Sequence, residues 1–268
     1  CSSDLIGNPM RSSRNSPDRR FMTATALRIL AVAVGLLLAL CACADQDLYN
    51  SRREALVREI ERQVVQTRDE LGTDRLDHAV IAAIGAVPRH EFVPSALRSE
   101  AYRNHPLPIG GGQTISQPYI VAIMSHLLGA ESGDRVYELG TGSGYQAAVL
   151  AEMGLEVYTV EIVPELAEQA RETLDRLGYE SVKVKAGDGY LGWPDAAPFA
   201  GILITAAGDH VPQPLVDQLA IGGRLVMPVG APGWTQQLVV MEKTATGTLE
   251  RQDVLPVRFV PITGPNVR

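Results

Sequence analysis

A glycine-rich turn is the strongest chemical signal in the chain. It reads Glu138-Leu-Gly-Thr-Gly-Ser-Gly-Tyr145 and stands between a predicted strand and a predicted helix. Glycines at such a junction allow a tight turn and let a cofactor approach the backbone beside a helix N-terminus. The turn therefore predicts a cofactor site, with these residues as its candidates: Glu138, Gly140, Thr141, Gly142, Ser143 and Gly144.

Two acidic residues follow the next two predicted strands. Glu161 ends the second strand, where a carboxylate can accept hydrogen bonds from two ribose hydroxyls. Asp188 and Gly189 follow the third strand, at the carboxyl edge where α/β sheets bind ligands. Asp188 is suited to accept a hydrogen bond from an adenine amino group, although Asp-Gly is also common turn chemistry.

Two kinds of cofactor fit this turn. From Gly142 it reads Gly-x-Gly-x-x-Ala147, an acceptable dinucleotide fingerprint. From Gly140 it reads Gly-x-Gly-x-Gly, the tighter form seen in S-adenosylmethionine enzymes. The tighter form favours a methyltransferase over a dehydrogenase, which would also need a proton-transfer residue and usually a substrate domain.

The elements around these residues alternate between strand and helix from Asp134 onward. The predicted strands are 135–139, 157–162, 182–186, 199–206 and 224–229, and the predicted helices are 145–153, 164–177 and 212–219. This alternation predicts an α/β fold: a doubly wound, mostly parallel, Rossmann-like methyltransferase sheet. Gln236–Lys243 and Val254–Pro261 lack a helix between them and predict an antiparallel C-terminal strand pair.

The N-terminal half of the body is predicted to be helical before a long loop. Apolar periodicity indicates helices over 45–71 and 76–87, and a third helix is expected over 119–128. The loop from Pro88 to Pro118 is dense in proline and glycine, and so long a connection is usually functional. We expect one globular domain, 45–268, made of N-terminal helices and substrate loop (45–133) and an S-adenosylmethionine-binding core with C-terminal strands (134–268).

Residues 1–44 are predicted to stand apart from this domain. Residues 1–21 are rich in Ser, Asn, Pro and Arg and are expected to be disordered, and Met22 is a candidate start. The apolar run 29–40 is too short for a bilayer but suits a signal peptide. Small residues follow it, and Cys43 is a candidate lipid-bearing residue, so segment 22–44 indicates export or lipid anchoring.

Charge and cysteine usage exclude several classes of function. The chain carries a net charge of −7, and its acidic body predicts no nucleic-acid partner. All three cysteines lie at or before residue 43, so the body has no disulfide framework. Its five histidines show no metal-ligand spacing, and we expect no metal.

Several motifs together resemble the protein-L-isoaspartate (D-aspartate) O-methyltransferase family. They occur in order from about Leu76 to Gly264, and the Gly-Gln-Thr-Ile-Ser-Gln-Pro stretch within 110–118 is the most specific. The glycine turn, Tyr158-Thr-Val-Glu161 and Phe259-Val-Pro261 are similar too. Ala200 departs from the family pattern, which usually has Asp there.

The resemblance implies methyl transfer from S-adenosylmethionine to the α-carboxylate of an L-isoaspartyl residue, or to a D-aspartyl side chain. A carboxylate has a pKa of about 4 and is already an ionised nucleophile, so no general base is needed. The resemblance assigns Ser116 and Thr114 to orienting this carboxylate. Asp209 and His210 could line the substrate side, but the pattern favours ordinary surface-loop residues.

The resemblance also implies that the partners are damaged proteins and peptides, that the enzyme is a monomer, and that it acts in the cytoplasm. Two alternatives stay open at this point. One is a methyltransferase with another carboxylate acceptor, and the other is a non-catalytic S-adenosylmethionine-binding module.

Overall fold

A computed structural model of the chain describes Ile29 and residues 47–231 and 233–266. The chain divides into two units, Cys1–Tyr49 and Asn50–Arg268. Apart from Ile29, the predicted leader 1–44, with its signal-like segment and Cys43, lies outside the described residues. None of the described helices has the length and apolar character needed to cross a lipid bilayer.

In the described part of the second unit, nine strands form two sheets. They are β1 (Leu107–Gly110), β2 (Gln113–Ile115), β3 (Arg135–Leu139), β4 (Glu156–Glu161), β5 (Lys183–Ala186), β6 (Phe199–Ile204), β7 (Leu219–Val229), β8 (Gln236–Lys243) and β9 (Leu249–Val257). β1 and β2 form a hairpin, and the other seven form one sheet in the order β5-β4-β3-β6-β7-β8-β9. β3 to β7 run parallel, whereas β8 and β9 are antiparallel to their neighbours.

The strand order reverses at β3. β4 and β5 extend the sheet on one side of β3, and β6 and β7 extend it on the other. Because parallel crossovers are right-handed, this reversal puts the connecting helices on opposite faces and opens a crevice at the strands' carboxyl ends. The predicted doubly wound sheet and its antiparallel C-terminal pair are confirmed.

Seven α-helices accompany the sheets in the described part of this unit. They are α1 (50–66), α2 (Arg68–Leu71), α3 (His78–Ala86), α4 (Pro118–Leu128), α5 (Tyr145–Glu152), α6 (Pro164–Arg176) and α7 (Gln213–Gln218). α4 packs against β6 and β7, α5 against β4, and α6 against β4 and β5. The sequence of α6 specifies both its start and its buried face. Pro164 begins the helix, and Leu166, Ala170 and Leu174, spaced four residues apart, are buried.

The central strands are buried because helices cover both faces of the sheet. β6 reads Phe-Ala-Gly-Ile-Leu-Ile, a nearly continuous apolar run rather than an alternating one. Phe199, Ile202 and Ile204 join Tyr137 and Leu225 in the buried core. Glu138, on β3, is one exception, since it is a fully buried carboxyl group.

Several predicted boundaries differ from the structure. The long N-terminal helix is interrupted at Thr67, whose hydroxyl turns to the carbonyl of Gln63 (3.0 Å) and the hydroxyl of Tyr119 (2.6 Å). β7 begins at Leu219 instead of Arg224, because Leu219 already pairs with Phe199. The loop 88–118 contains two short 3-10 helices, Arg89–Phe92 and Ser95–Glu100, and the β1–β2 hairpin.

The last strand was predicted over 254–261, but β9 covers Leu249–Val257. The chain then leaves the sheet, and Val260 and Ile262 bond instead with Ala207, which follows β6. Ala207 N–H donates to the Val260 carbonyl at 2.8 Å, and Ile262 N–H donates to the Ala207 carbonyl at 2.8 Å. This turn carries the C-terminal segment across the carboxyl edge of the sheet.

Candidate active site

The main cavity lies at the carboxyl ends of β3, β4 and β6, where the strand order reverses. Its empty volume, which includes the open mouth, is about 780 Å³. Ten of the eleven sequence-predicted site residues line it: Thr114, Ser116, Glu138, Gly140, Thr141, Gly142, Ser143, Glu161, Asp188 and Gly189. Gly144 does not line it, and a Cβ there would lie 3.2 Å from Leu174 on α6.

The glycine turn is held by contacts that only glycine permits. Gly140 has φ = 97°, and a Cβ on it would lie 2.5 Å from Thr205 Oγ1. Thr205 in turn donates its hydroxyl to the carbonyl oxygens of Leu139 (2.9 Å) and Gly140 (2.7 Å). The end of β6 therefore fixes the turn that follows β3.

Glu161 connects the turn to the end of β4. Its Oε2 accepts the Gly142 N–H at 2.8 Å, and its Oε1 accepts the Val163 N–H at 3.0 Å. The side chain is buried. Each oxygen accepts one backbone N–H and keeps a second lone pair, so the carboxylate can also accept hydroxyl hydrogen bonds from a ligand.

Asp188 begins a short 3-10 helix after β5. Its Oδ1 accepts the Tyr190 N–H at 3.0 Å, and its Oδ2 accepts from the Asn266 amide at 2.6 Å. The turn interpretation of Asp188 is therefore correct as local structure. The residue also lines the cavity, so the turn directs a carboxylate to it.

Glu138 ends a buried chain of hydroxyl hydrogen bonds. Thr159 donates to Glu138 Oε2 at 2.6 Å, and Thr141 Oγ1 lies 2.6 Å from Thr159 Oγ1. Burial raises the pKa of Glu138 to about 8, against the opposing effect of the Thr159 hydrogen bond. Its Oε1 is buried without a partner among the described residues, so one acceptor remains for a cationic ligand group.

The substrate loop closes one side of the cavity and borders a second one. The second cavity has an empty volume of about 920 Å³ and is lined by the hairpin, by α4 and by residues 256–260. Thr114 and Ser116 line both cavities, as do Thr205 and Val260. The two loop hydroxyls have no hydrogen-bond partner within the described residues, so neither serves to stabilise the loop backbone.

Other candidates fall outside the cavity. Asp209 and His210 do not line it, although His210 Nε2 lies 2.6 Å from the hydroxyl of Tyr190, which does. Ala200 sits near the start of β6, at the opposite edge of the sheet, so a missing carboxylate there removes nothing from the site. Tyr179 and Lys183 have the Tyr-x-x-x-Lys spacing of some dehydrogenases, but neither lines the cavity.

Sequence reasoning missed residues that act through tertiary contacts. Tyr137 donates its hydroxyl to the Gly189 carbonyl at 2.7 Å and so joins β3 to the Asp188 turn. Arg89 donates to the Ser116 carbonyl at 2.8 Å from below the loop. The sequence around Arg89 could not predict this contact, because an arginine in a polar Pro-Arg-His-Glu stretch is expected to be exposed.

The residues fit S-adenosylmethionine by three observations: the unpartnered Glu138 oxygen, the remaining lone pairs of Glu161, and the backbone approach that the glycines allow. In residues 47–231 and 233–266, no group of three or more His, Cys, Asp or Glu side chains could hold a metal ion. A doubly wound sheet with an antiparallel C-terminal edge and this turn defines a class: the Rossmann-like S-adenosylmethionine-dependent methyltransferases.

Comparison with known proteins defines the family within this class. The family model described as protein-L-isoaspartate (D-aspartate) O-methyltransferase matches residues 58–266. The chain belongs to this family, which decides against the dehydrogenase alternative.

Individual relatives agree. The chain is 54% identical to protein-L-isoaspartate O-methyltransferase 2 of Syntrophobacter fumaroxidans over 82% of this chain and 90% of that protein. It is 59% identical to the Gloeobacter violaceus protein-L-isoaspartate O-methyltransferase over 69% of this chain and 90% of that one.

Among solved structures, a protein-L-isoaspartate O-methyltransferase matches with a TM-score of 0.69 and 29% identity, covering 80% of this chain and 67% of that one. A Plasmodium falciparum structure in complex with S-adenosyl-L-homocysteine has a TM-score of 0.63 at 23% identity, covering 80% of this chain and 98% of that one. The second likeness concerns the fold alone.

Proposed function

We propose that this enzyme transfers the methyl group of S-adenosylmethionine to the α-carboxylate of L-isoaspartyl residues, and to D-aspartyl side chains, in damaged proteins. The methyl ester then collapses to a succinimide, and hydrolysis returns part of it to normal aspartate. One observation carries the proposal. Thr114 and Ser116 place hydroxyls that have no partner among the described residues at the boundary that the cofactor cavity shares with the second cavity.

The cofactor roles follow from the hydrogen-bonding capacity of each residue. Glu161 would accept from the ribose hydroxyls, and Asp188 from the adenine amino group. Glu138 Oε1 would accept from the ammonium of the methionine part, because it is a buried carboxyl oxygen without a partner among the described residues. Bound in this way, S-adenosylmethionine supplies a methyl group on a positively charged sulfur, which a carboxylate oxygen can attack.

The acceptor roles need only orientation and exclusion of water. The isoaspartyl carboxylate is ionised at neutral pH, so the protein has no proton to remove. Ser116 and Thr114 would each donate a hydrogen bond to it and hold the attacking oxygen in line with the methyl group. Placement of this kind accounts for much of the rate increase in reactions that join two molecules.

We further propose that the enzyme acts in the cytoplasm, because S-adenosylmethionine is made in that compartment. We also propose that it is a monomer. Export or lipid anchoring through segment 22–44 is the competing hypothesis. Cell fractionation followed by sizing of the protein in each fraction tests both points. Protein confined to the membrane or exported fraction would contradict the cytoplasmic proposal.

Transfer of radiolabelled methyl groups tests the proposed reaction. The full chain is incubated with labelled S-adenosylmethionine and paired peptides that differ only in L-isoaspartate or L-aspartate at one position. We expect base-labile label on the isoaspartyl peptide alone. Measurable cofactor binding with no label on either peptide would reject the proposal and favour another acceptor or a non-catalytic module.

A further inference from the structure

Arg89 is a buried cation directly beneath the substrate loop. Its side chain is 1% exposed, and it opens the 3-10 helix Arg89–Phe92. The guanidinium donates through Nε to the Ala101 carbonyl at 2.9 Å and through Nη2 to the Ser116 carbonyl at 2.8 Å. It therefore ties the loop, at its hydroxyl-bearing residue, to the chain that precedes the hairpin.

The Arg89 guanidinium also contacts the helix that follows the glycine turn. Its central carbon lies 4.7 Å from the ring centroid of Tyr145, the first residue of α5 and a lining residue of the main cavity. One guanidinium thus joins the substrate loop to the helix that follows the glycine turn. A shift of either segment would change the distance between Ser116 and the bound cofactor.

The charge of Arg89 has no carboxylate partner among the described residues. Burial lowers its pKa to about 10, opposed mainly by Tyr145. Its Nη1 lacks a hydrogen-bond partner among the described residues. An unpaired buried charge costs folding free energy that an apolar side chain of similar volume would not cost. Two carbonyl hydrogen bonds and the Tyr145 ring oppose this cost, and through them an arginine joins two segments that an apolar side chain could not join.

We propose that Arg89 is a positioning residue for methyl transfer, which holds the Ser116 backbone against the cofactor turn so that the Ser116 hydroxyl meets the acceptor carboxylate. This inference rests on the proposed function. It assigns Arg89 no contact with substrate or cofactor. Its effect passes through Ser116, and it should therefore appear in kcat for the acceptor more than in cofactor affinity.

The test compares full-length wild type with Arg89→Met and Arg89→Lys. We expect Arg89→Met to lower kcat on the isoaspartyl peptide by about 10- to 100-fold, the loss typical of misplacing a reacting group by about an ångström. Its Kd for S-adenosylmethionine should stay within about twofold of wild type. Its Tm should fall only modestly, because loss of the hydrogen bonds to the Ala101 and Ser116 carbonyls is offset by removal of the buried charge. Arg52→Met is the matched control, since Arg52 also donates to a carbonyl, that of Ser99, but on an exposed surface.

Arg89→Lys separates positioning from a structural role. Lysine keeps the charge but lacks the rigid fork that serves two carbonyls, so we expect partial recovery of kcat with unchanged cofactor Kd. This variant also carries the test if Arg89→Met does not fold.

A parallel loss of Tm, cofactor binding and kcat in both variants would reduce Arg89 to a structural residue and overturn the inference. So would wild-type kcat in either variant. The wild-type protein is assayed first. If it does not methylate the isoaspartyl peptide, the proposed function itself is wrong, and this result is distinct from any difference between the variants.

Discussion

At the level of single residues, the site depends on a few oxygen atoms whose partners are known. Each carboxylate oxygen of Glu161 accepts one backbone N–H: Oε2 from Gly142 in the glycine turn and Oε1 from Val163 just before α6. The Ser116 hydroxyl makes no hydrogen bond to any of the described residues. The hydrogen bonds of Glu161 indicate a cofactor-binding residue that also stabilises the local backbone. The hydroxyl of Ser116 is instead available to bind a ligand. The two should therefore respond differently to substitution.

Ser116→Ala should lower kcat/KM for the isoaspartyl peptide by about 10- to 150-fold. One hydrogen bond to a charged group is worth about 1.5–3 kcal/mol, and every 1.4 kcal/mol is a factor of ten. S-adenosylmethionine affinity, measured by calorimetry, should stay within about twofold. Ser95→Ala, an exposed serine of the same loop, is the control. Equal losses in cofactor binding and turnover would contradict the assigned role of Ser116.

Glu161→Gln should weaken S-adenosylmethionine binding by about 10-fold or more and also lower stability. The amide has one acceptor oxygen, so either the Gly142 or the Val163 N–H loses its partner, at a cost of about 1–3 kcal/mol. Binding calorimetry and urea unfolding measure the two effects. Glu168→Gln, on the exposed face of α6, should change neither. Unchanged affinity in Glu161→Gln would remove this residue from the cofactor site.

At the level of elements, the ends of β3 and β6 act as one unit. Gly140 and Thr205 approach so closely that the turn after β3 accepts no side chain. The C-terminal segment beyond β9 reaches the same place, where it bonds with Ala207 and supplies Val260 to both cavities. The site is thus built where three separate connections meet.

Gly140→Ala should destabilise the protein by about 1–3 kcal/mol from its positive φ alone, and further through the contact with Thr205. Gly178→Ala separates the effect of positive φ from the effect of the Thr205 contact. Gly178 has φ = 85°, but a Cβ added there would meet no atom within 4 Å. Urea unfolding and cofactor calorimetry should show a larger loss of stability in the Gly140 variant, and a loss of binding there only. Similar behaviour of both variants would mean that the Thr205 contact is unimportant.

At the level of the whole molecule, the buried Glu138 links folding to pH. Its pKa is about 8 in the folded protein, against about 4.5 for an exposed group. Between these values the folded state holds a proton that the unfolded state has lost. The contribution of Glu138 to stability is therefore fully present below pH 4.5 and is lost as the pH rises through 8.

Glu138→Gln should remove this pH dependence from the cofactor-free protein. In wild type, Glu138 lowers the free energy of unfolding by up to about 1.4 kcal/mol per pH unit across this window. The glutamine variant has no proton to lose, so the difference between the two proteins should change with pH at that slope. Urea unfolding at pH 5, 6, 7 and 8 measures it. A difference that does not vary with pH would mean that Glu138 is ionised in the folded state.

Much of the architecture could be predicted because its causes are local along the chain. Apolar runs bounded by turns marked β3, β4 and β6, and fourfold spacing of apolar residues marked α6. Glycine's tolerance of positive φ marked the cofactor turn, and the acidic residues at the strand ends followed from the rule that parallel strands bind ligands at their carboxyl edge. Ten of the predicted site residues accordingly line one cavity.

Other features depended on tertiary structure because they join segments far apart in the chain. Arg89 lies 27 residues from the Ser116 carbonyl that it contacts, and Tyr137 lies 52 residues from Gly189. The chain beyond Val257 left the sheet because Ala207 offered it backbone hydrogen bonds there. Propensity and periodicity describe each segment alone, whereas these contacts exist only once packing has removed water and left each buried polar group in need of a partner.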